Sequence, residues 1–242
     1  MDVQNKVVII TGASSGIGLA TARLLAEQGA RLALVSRSKE KLEKLSEELP
    51  DSLAVPADMT EIDEIKRMIE QTEAHFRRID ILINNAGQGY DAPVENIDID
   101  AFHHIFDLNV VGPLVAMQLA IPLMRNQGGG AIINVSSGAA LMCLPNMSPY
   151  SSLKRALAGL SLTAREELKN DNIVVSVVYP FVTLTDFEKN TIKDLPGDDQ
   201  GQEGAGPFSA DTAEYVAQKI LEGIESGEAE IFARDWLKNS GR

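Results

Sequence analysis

Residues 6–18 read KVVIITGASSGIG, and the change from its apolar half to its glycine half decides the fold. Lys6–Thr11 carries no charge after its first residue and is rich in β-branched side chains, as a strand buried on both faces of a sheet requires. Glycines at 12, 16 and 18 then allow a tight turn and a close approach of the backbone to a bound group. Ile17–Gln28 continues with helical period. A helix that opens directly after such a loop presents unpaired N–H groups and a partial positive charge, a ready seat for a pyrophosphate. The spacing is G-x-x-x-G-x-G rather than G-x-G-x-x-G, and a glycine turn after a strand can also be only a turn.

The same alternation runs along the chain. Apolar runs recur at Arg31–Ser36, Ser52–Val55, Ile79–Asn84, Ala131–Val135, Ile173–Tyr179 and Glu230–Ala233. Between them lie amphipathic stretches at Ser38–Leu49, Glu61–Phe76, Asp100–Met124, Tyr150–Lys169 and Asp211–Ser226, with Ser38 and Thr60 placed as N-caps of the first two. Strict alternation predicts right-handed βαβ units: an α/β fold, a doubly wound (Rossmann) parallel sheet of about seven strands flanked by helices. Residues 1–242 read as one domain, with neither repeat nor linker. A formal net charge of −13 disfavours binding to nucleic acid or to an anionic membrane. Cys143 is the only cysteine, which excludes an intramolecular disulfide and a cysteine metal cluster. The opening MDVQNKVVIITG reads as neither signal peptide nor anchor, and no stretch approaches the length of a membrane span, so a cytoplasmic protein is expected.

Asp186–Pro207, rich in Gly, Asp and Pro, reads either as a surface excursion or as a lid over a site at the carboxyl edge of the sheet. SPYSSLK, residues 148–154, sets Tyr150 one helical turn before Lys154. An ammonium about 5 Å from a phenol contributes about 3 kcal/mol at an effective dielectric near 20, enough to lower the phenol by roughly two pH units. Standing alone, the pair reads as two helix residues that never act together, and it matters only where the rest of the chain supports it.

TGASSGIG resembles the cofactor loop of the short-chain dehydrogenases/reductases, and four further matches follow in that family's order. They are Asn84–Gly87 (NNAG) after the fourth strand, Asn109, Ser137 thirteen residues before Tyr150, and the Y-x-x-x-K pair itself. The likeness runs from Lys6 to about Ala233. It implies hydride transfer between a nicotinamide cofactor and a carbonyl or secondary alcohol, with catalytic residues Asn109, Ser137, Tyr150 and Lys154. In that mechanism Tyr150 is the general acid in reduction and the base in oxidation, its pKa lowered by Lys154, which also holds the nicotinamide ribose. Ser137 donates to the substrate oxygen as an oxyanion donor does. Asn109 perturbs its helix and holds a water that links Lys154 to solvent. Ser136, Ser151 and Ser152 read as structural.

The resemblance further implies cofactor contacts from Gly12, Ser14, Ser15, Gly16, Ile17, Gly18, Arg37, Asp58, Met59, Asn85, Ala86, Gly87, Tyr150, Lys154, Pro180, Thr183 and Thr185. Ser36 stands where an NAD enzyme carries an acid, and Arg37 follows, able to bind a 2′-phosphate bidentately. NADP(H) is therefore expected over NAD(H), although Ser15 lacks the basic side chain that many NADP users place there. Pro180–Thr185 departs from the family's P-G-x-V-x-T: Phe181 replaces the glycine, and its ring either reshapes the pocket or packs away from it. An apolar substrate wall is read at Tyr90, Leu141, Met142, Leu144, Met147 and Phe181, around Ser137 and Tyr150. His75, His103 and His104 read as structural, and Trp236 as packing the C-terminal tail. Two other functions fit the motifs, a 3-oxoacyl-(acyl-carrier-protein) reductase and a non-catalytic NADP-binding sensor. The family also implies a homotetramer, with a dimer as the alternative, built on the Asp100–Met124 and Tyr150–Lys169 helices.

Overall fold

The computed structural model describes residues 1–195 and 210–240. In chain order these form β1 (Val7–Thr11), α1 (Gly16–Glu27), β2 (Arg31–Ser36), α2 (Lys39–Glu48), β3 (Ser52–Pro56), α3 (Ile62–Phe76), β4 (Ile81–Asn84) and β5 (Tyr90–Asp91). The chain continues through α4 (Ile99–Phe106), α5 (Gly112–Asn126), β6 (Gly130–Val135), α6 (Ser148–Leu168), β7 (Ile173–Tyr179), β8 (Ile192–Lys193), α7 (Ala213–Ser226) and β9 (Glu230–Phe232). Seven strands make one parallel sheet in the order β3-β2-β1-β4-β6-β7-β9. Strand order reverses between β1 and β4, so the crevice at their carboxyl ends is where a ligand of a doubly wound sheet binds.

Alternate residues of each strand explain the continuous apolar runs. Val8 and Ile10 of β1 join a core with Leu25 of α1, Leu42 of α2 and Ile220 of α7, whereas Val7 and Ile9 join a second core with Met68 of α3, Met117 of α5 and Leu168. Both faces are covered, so both parities are apolar.

Three expectations are adjusted. The expected Asp100–Met124 helix lies within one helical run, Ile99–Asn126, but a π-helical turn at Asp107–Val111 marks off α4 from α5 inside it. Thr60 does not cap α3. Glu61 holds that position, while the Thr60 hydroxyl donates to Asp58 Oδ1 at 2.8 Å. Ile99–Asn126 is, by length and composition, a helical run able to cross a membrane, contrary to the expectation that no stretch approaches that length. In the fold its Ala116, Met117, Ala120 and Met124 pack in the core under the sheet. Tyr90–Asp91 and Ile192–Lys193 were not foreseen as strands; they pair in parallel as a separate two-stranded ribbon, with Tyr90 opposite Ile192 and Asp91 opposite Lys193.

Candidate active site

The glycine loop and the Asn84–Gly87 turn form one floor over the crevice. Thr11, the last residue of β1, accepts through its hydroxyl from the backbone N–H groups of Asn85 (2.9 Å) and Ala86 (3.0 Å), and Asn85 Nδ2 donates to the Thr11 carbonyl at 2.8 Å. Gly12 and Gly16 adopt positive φ, and a Cβ at Gly18 would stand 2.2 Å from the Gly12 carbonyl oxygen. Ser14, Ser15 and Ile17 complete the loop into α1. Ser15 sits at the N-cap of α1 without using its side chain as a cap, and no acidic residue occupies the first turn. This end of α1 therefore offers free backbone donors and a favourable dipole, the donor set that suits a pyrophosphate. Thr185 covers it, its Cγ2 lying 3.1 Å from where a Gly16 Cβ would be.

Ser137, Tyr150, Lys154 and Asn109 converge beyond this floor. Ser137 follows β6; its hydroxyl accepts from the Ala139 N–H at 3.1 Å and lies near enough to the Tyr150 phenol to lower its pKa. Lys154 Nζ donates to the Val135 carbonyl at 3.0 Å and lies 5.8 Å from the centre of the Tyr150 ring. Ser136 donates to the Lys154 carbonyl at 2.9 Å, which pins α6 to the end of β6. The π turn sets Asn109 so that Nδ2 donates to both the Gln88 and Ile105 carbonyls at 3.0 Å, while Oδ1 is buried with no hydrogen-bond partner among the described residues. A Cβ at Gly87 would lie 2.7 Å from that Oδ1 and 3.2 Å from Lys154 Nζ, so both polar atoms face the same gap, which the absence of a side chain keeps open.

The short chain dehydrogenase family model matches residues 6–196, spanning every one of these groups. The chain belongs to the short-chain dehydrogenase/reductase family. It is an oxidoreductase of that family, whose fold binds a nicotinamide cofactor and whose members act on small molecules. It is 34% identical over 243 residues to 11-beta-hydroxysteroid dehydrogenase-like 2 of Arabidopsis thaliana, covering 98% of this chain and 76% of that one. An uncharacterized oxidoreductase of Staphylococcus saprophyticus is 36% identical over 190 residues, 77% of each chain. A short-chain dehydrogenase of Streptomyces avermitilis superposes with a TM-score of 0.88 at 25% identity, over 100% of this chain and 92% of that one. A 3-ketoacyl-(acyl-carrier-protein) reductase of Brucella melitensis, solved with NADH, shares the fold with a TM-score of 0.86 at 24% identity, over 95% and 97% of the two chains.

The electrostatics of this dehydrogenase site depart from one expectation. Burial pushes the Tyr150 phenol up to about 12; the nearby Ser137 hydroxyl pulls it down, and the Asp91 carboxylate pushes it further up. Lys154 is not among the groups that move it. Burial instead draws the ammonium of Lys154 down to about 8. At 5.8 Å from the ring, in a water-poor site, desolvation of each group outweighs their mutual effect.

Arg37 and Asp58 lie at the ends of β2 and β3, 3.9 Å apart, with Arg37 largely exposed. Burial raises the Asp58 carboxyl, but hydrogen bonds from the Thr60 backbone and hydroxyl, with the nearby Arg37 charge, hold it below its ordinary value. Met59 is a core side chain, so only its backbone is available to a ligand. Pro180 accepts the Gly138 N–H at 2.6 Å, and Thr183 donates to the Phe181 carbonyl at 2.8 Å. These contacts place the Pro180–Thr185 turn beside Ser137.

The expected substrate wall is partly wrong. Tyr90 is fully buried: its hydroxyl donates to Asp194 at 2.5 Å and accepts the Asp98 N–H at 2.7 Å, so it faces the interior and not a ligand. Phe181 packs edge-on against Trp236, ring centres 5.0 Å apart. Met142 and Leu144 line a cavity of about 400 Å³ with Ser151 and Arg155, and Tyr150 is absent from that lining. Leu141 packs against the small core formed by Ala140, Ala158 and Tyr179, and Met147 is the N-cap residue of α6. A larger cavity of about 690 Å³ lies between α1 and α7 and meets the loop floor only at Gly16 and Thr185.

The foreseen lid divides. Residues 196–207 lie outside the described residues, whereas 186–195 fold back over the site. Phe187 lies on Tyr150 with ring centres 5.7 Å apart. The ribbon of β5 and β8 holds this segment down, assisted by Gln88 donating to the Asn190 carbonyl at 2.7 Å. Sequence reading missed Phe187 and Asp91, because no motif marks a residue that reaches the site through long-range pairing. It also missed Asn134, which accepts from Asn84 at 2.8 Å and donates to Ser161 at 2.7 Å, bracing β4, β6 and α6.

Proposed function

We propose that this short-chain dehydrogenase/reductase interconverts a carbonyl and a secondary alcohol, prefers NADP(H) to NAD(H), and uses Tyr150 to move the proton. The observation that carries the reading is the convergence of Ser137, Tyr150 and Lys154 at the switch point, with Asn109 Oδ1 and Lys154 Nζ facing one gap at Gly87. The cofactor, when bound, supplies or accepts the hydride. The chain's own residues do the rest. The α1 N-terminus and the Gly12–Gly18 loop hold the pyrophosphate. Arg37 holds the 2′-phosphate where a carboxylate at position 36 would repel it.

In reduction, Ser137 and Tyr150 hydrogen-bond the substrate oxygen, and Tyr150 releases its proton to that oxygen as negative charge develops there. A phenol held near 12 donates only to a strong base, which suits a nascent alkoxide and spares a ground-state ketone. Lys154, held near 8, then returns a proton toward Tyr150 through the gap beside Asn109. Phe187 excludes water from the phenol while this happens.

The test is cofactor oxidation by the purified protein over ketones, aldehydes, diketones and 3-oxoesters, with NADPH against NADH, and with Tyr150→Phe and Arg37→Ser. Turnover is expected to fall at least about a hundredfold in Tyr150→Phe. In Arg37→Ser the NADPH preference should fall about tenfold, with NADH turnover retained. Undiminished turnover in Tyr150→Phe would overturn the assignment of the proton donor. A wild-type preference for NADH would overturn the role of Arg37.

A further inference from the structure

Asp91 sits where no family motif places a residue. It is the second residue of β5, and strand alternation turns its side chain to the face opposite the buried Tyr90. β5 packs against α6, the helix that carries Tyr150. Asp91 is half-buried, and among the described residues its carboxylate has neither a hydrogen-bond nor an ion-pair partner. The cation directly opposite it in the ribbon, Lys193, forms its ion pair with Glu188 at 3.7 Å, and acts on Asp91 only through its field. The stretch 196–209 contributes three acids in sequence and no Lys or Arg, so it brings no cation to the site. A half-buried carboxylate left without a hydrogen bond costs free energy unless something completes it, and Asp91 belongs to the ribbon that holds the Phe187 segment down on Tyr150.

Resting on the reading of the site given above, we propose that Asp91 is a specificity-determining residue. Its carboxylate accepts a hydrogen bond from a donor group of the substrate, a hydroxyl or a protonated amine, carried near the reacting carbonyl, and it rejects substrates bearing a carboxylate there. The Asp91 charge reaches the Tyr150 phenol and raises it, in keeping with the place of β5 against α6. Burial raises the Asp91 carboxyl itself, against the lowering field of Lys193 and with a further rise from Glu188.

The probes are levulinate and three methyl ketones of the same chain length, ending in a hydroxyl, a dimethylammonium or a methyl group. Each is assayed for kcat/KM and titrated for Kd, with wild type, Asp91→Asn and Asp91→Glu, all in the presence of cofactor. Ratios to the methyl-ended ketone are read, because removing the Asp91 charge also changes Tyr150 and that effect cancels in a ratio. Wild type should favour at least one donor-ended ketone over the methyl-ended one by about tenfold and disfavour levulinate by a similar factor, the worth of one charge-assisted hydrogen bond. Whether the hydroxyl or the ammonium is favoured identifies the source of the donor. Asp91→Asn should bring both ratios within about threefold of unity, and Asp91→Glu, which keeps the charge, should retain their sign. Ratios unchanged in Asp91→Asn, or a wild type indifferent to the end group, overturn the proposal. The Kd ratios need no turnover. If they behave as expected while Tyr150→Phe keeps full activity, the proton-transfer reading fails and the role of Asp91 stands.

Discussion

Lys154 is the residue whose replacement separates function from stability most sharply. Its ammonium is buried, and burial lowers its pKa from 10.5 to about 8, which at 1.36 kcal/mol per pH unit is a penalty of about 3 kcal/mol against the folded state at neutral pH. Lys154→Met keeps the length of the stem and removes the charge. The variant forfeits the hydrogen bond to the Val135 carbonyl, worth about 1 kcal/mol. A net gain of about 2 kcal/mol remains, or about 4–8 °C in Tm for a chain of this size. The gain depends on pH. Below pH 8 the amine is charged in both folded and unfolded chains and the whole penalty applies. Between pH 8 and 10.5 the folded state binds fewer protons than the unfolded one, so wild-type stability from this group rises with pH and the gap to the variant closes. Thermal melts of both proteins at pH 7, 8, 9 and 10 measure it, and turnover, expected to fall at least about a hundredfold, is followed alongside. A variant less stable than wild type at pH 7, or a gap that does not shrink above pH 8, would refute the reasoning.

Other consequences follow from single contacts. Tyr90→Phe removes the bonds to Asp194 and from Asp98 N, so urea unfolding should show a loss of about 1–3 kcal/mol, and the 186–195 segment should become more sensitive to protease. No change in either would mean the ribbon holds without that hydroxyl. Gly18→Ala sets a Cβ against the Gly12 carbonyl, so cofactor affinity measured by titration should collapse and stability fall by about 1–3 kcal/mol. Phe187→Ala admits water to a phenol that burial holds near 12, so the rising limb of the alcohol-oxidation rate should move to lower pH. A limb that stays in place would show that Phe187 does not shield Tyr150.

The local features of this chain are legible without its coordinates. The ends of β2 at Arg31 and Ser36 and of β7 at Ile173 and Tyr179 agree residue for residue with the apolar runs, because a strand buried on both faces needs unbroken apolar sequence and polar residues stop it. The glycine loop and the Tyr150–Lys154 pair are legible from local spacing within one turn or one helix, whereas Asn109 and Ser137 are legible only through the order of motifs in the family that the chain resembles. What required tertiary structure is whatever depends on residues far apart in the chain. Tyr90 reads as a pocket aromatic until Asp194, 104 positions away, takes its hydroxyl. Phe187 reads as a loop residue until the β5–β8 ribbon lays it on Tyr150. The pKa of Tyr150 was misjudged from its spacing to Lys154, because a spacing gives a distance between charges and says nothing of the water removed around them. Desolvation is a property of the closed volume, and only the folded chain encloses one.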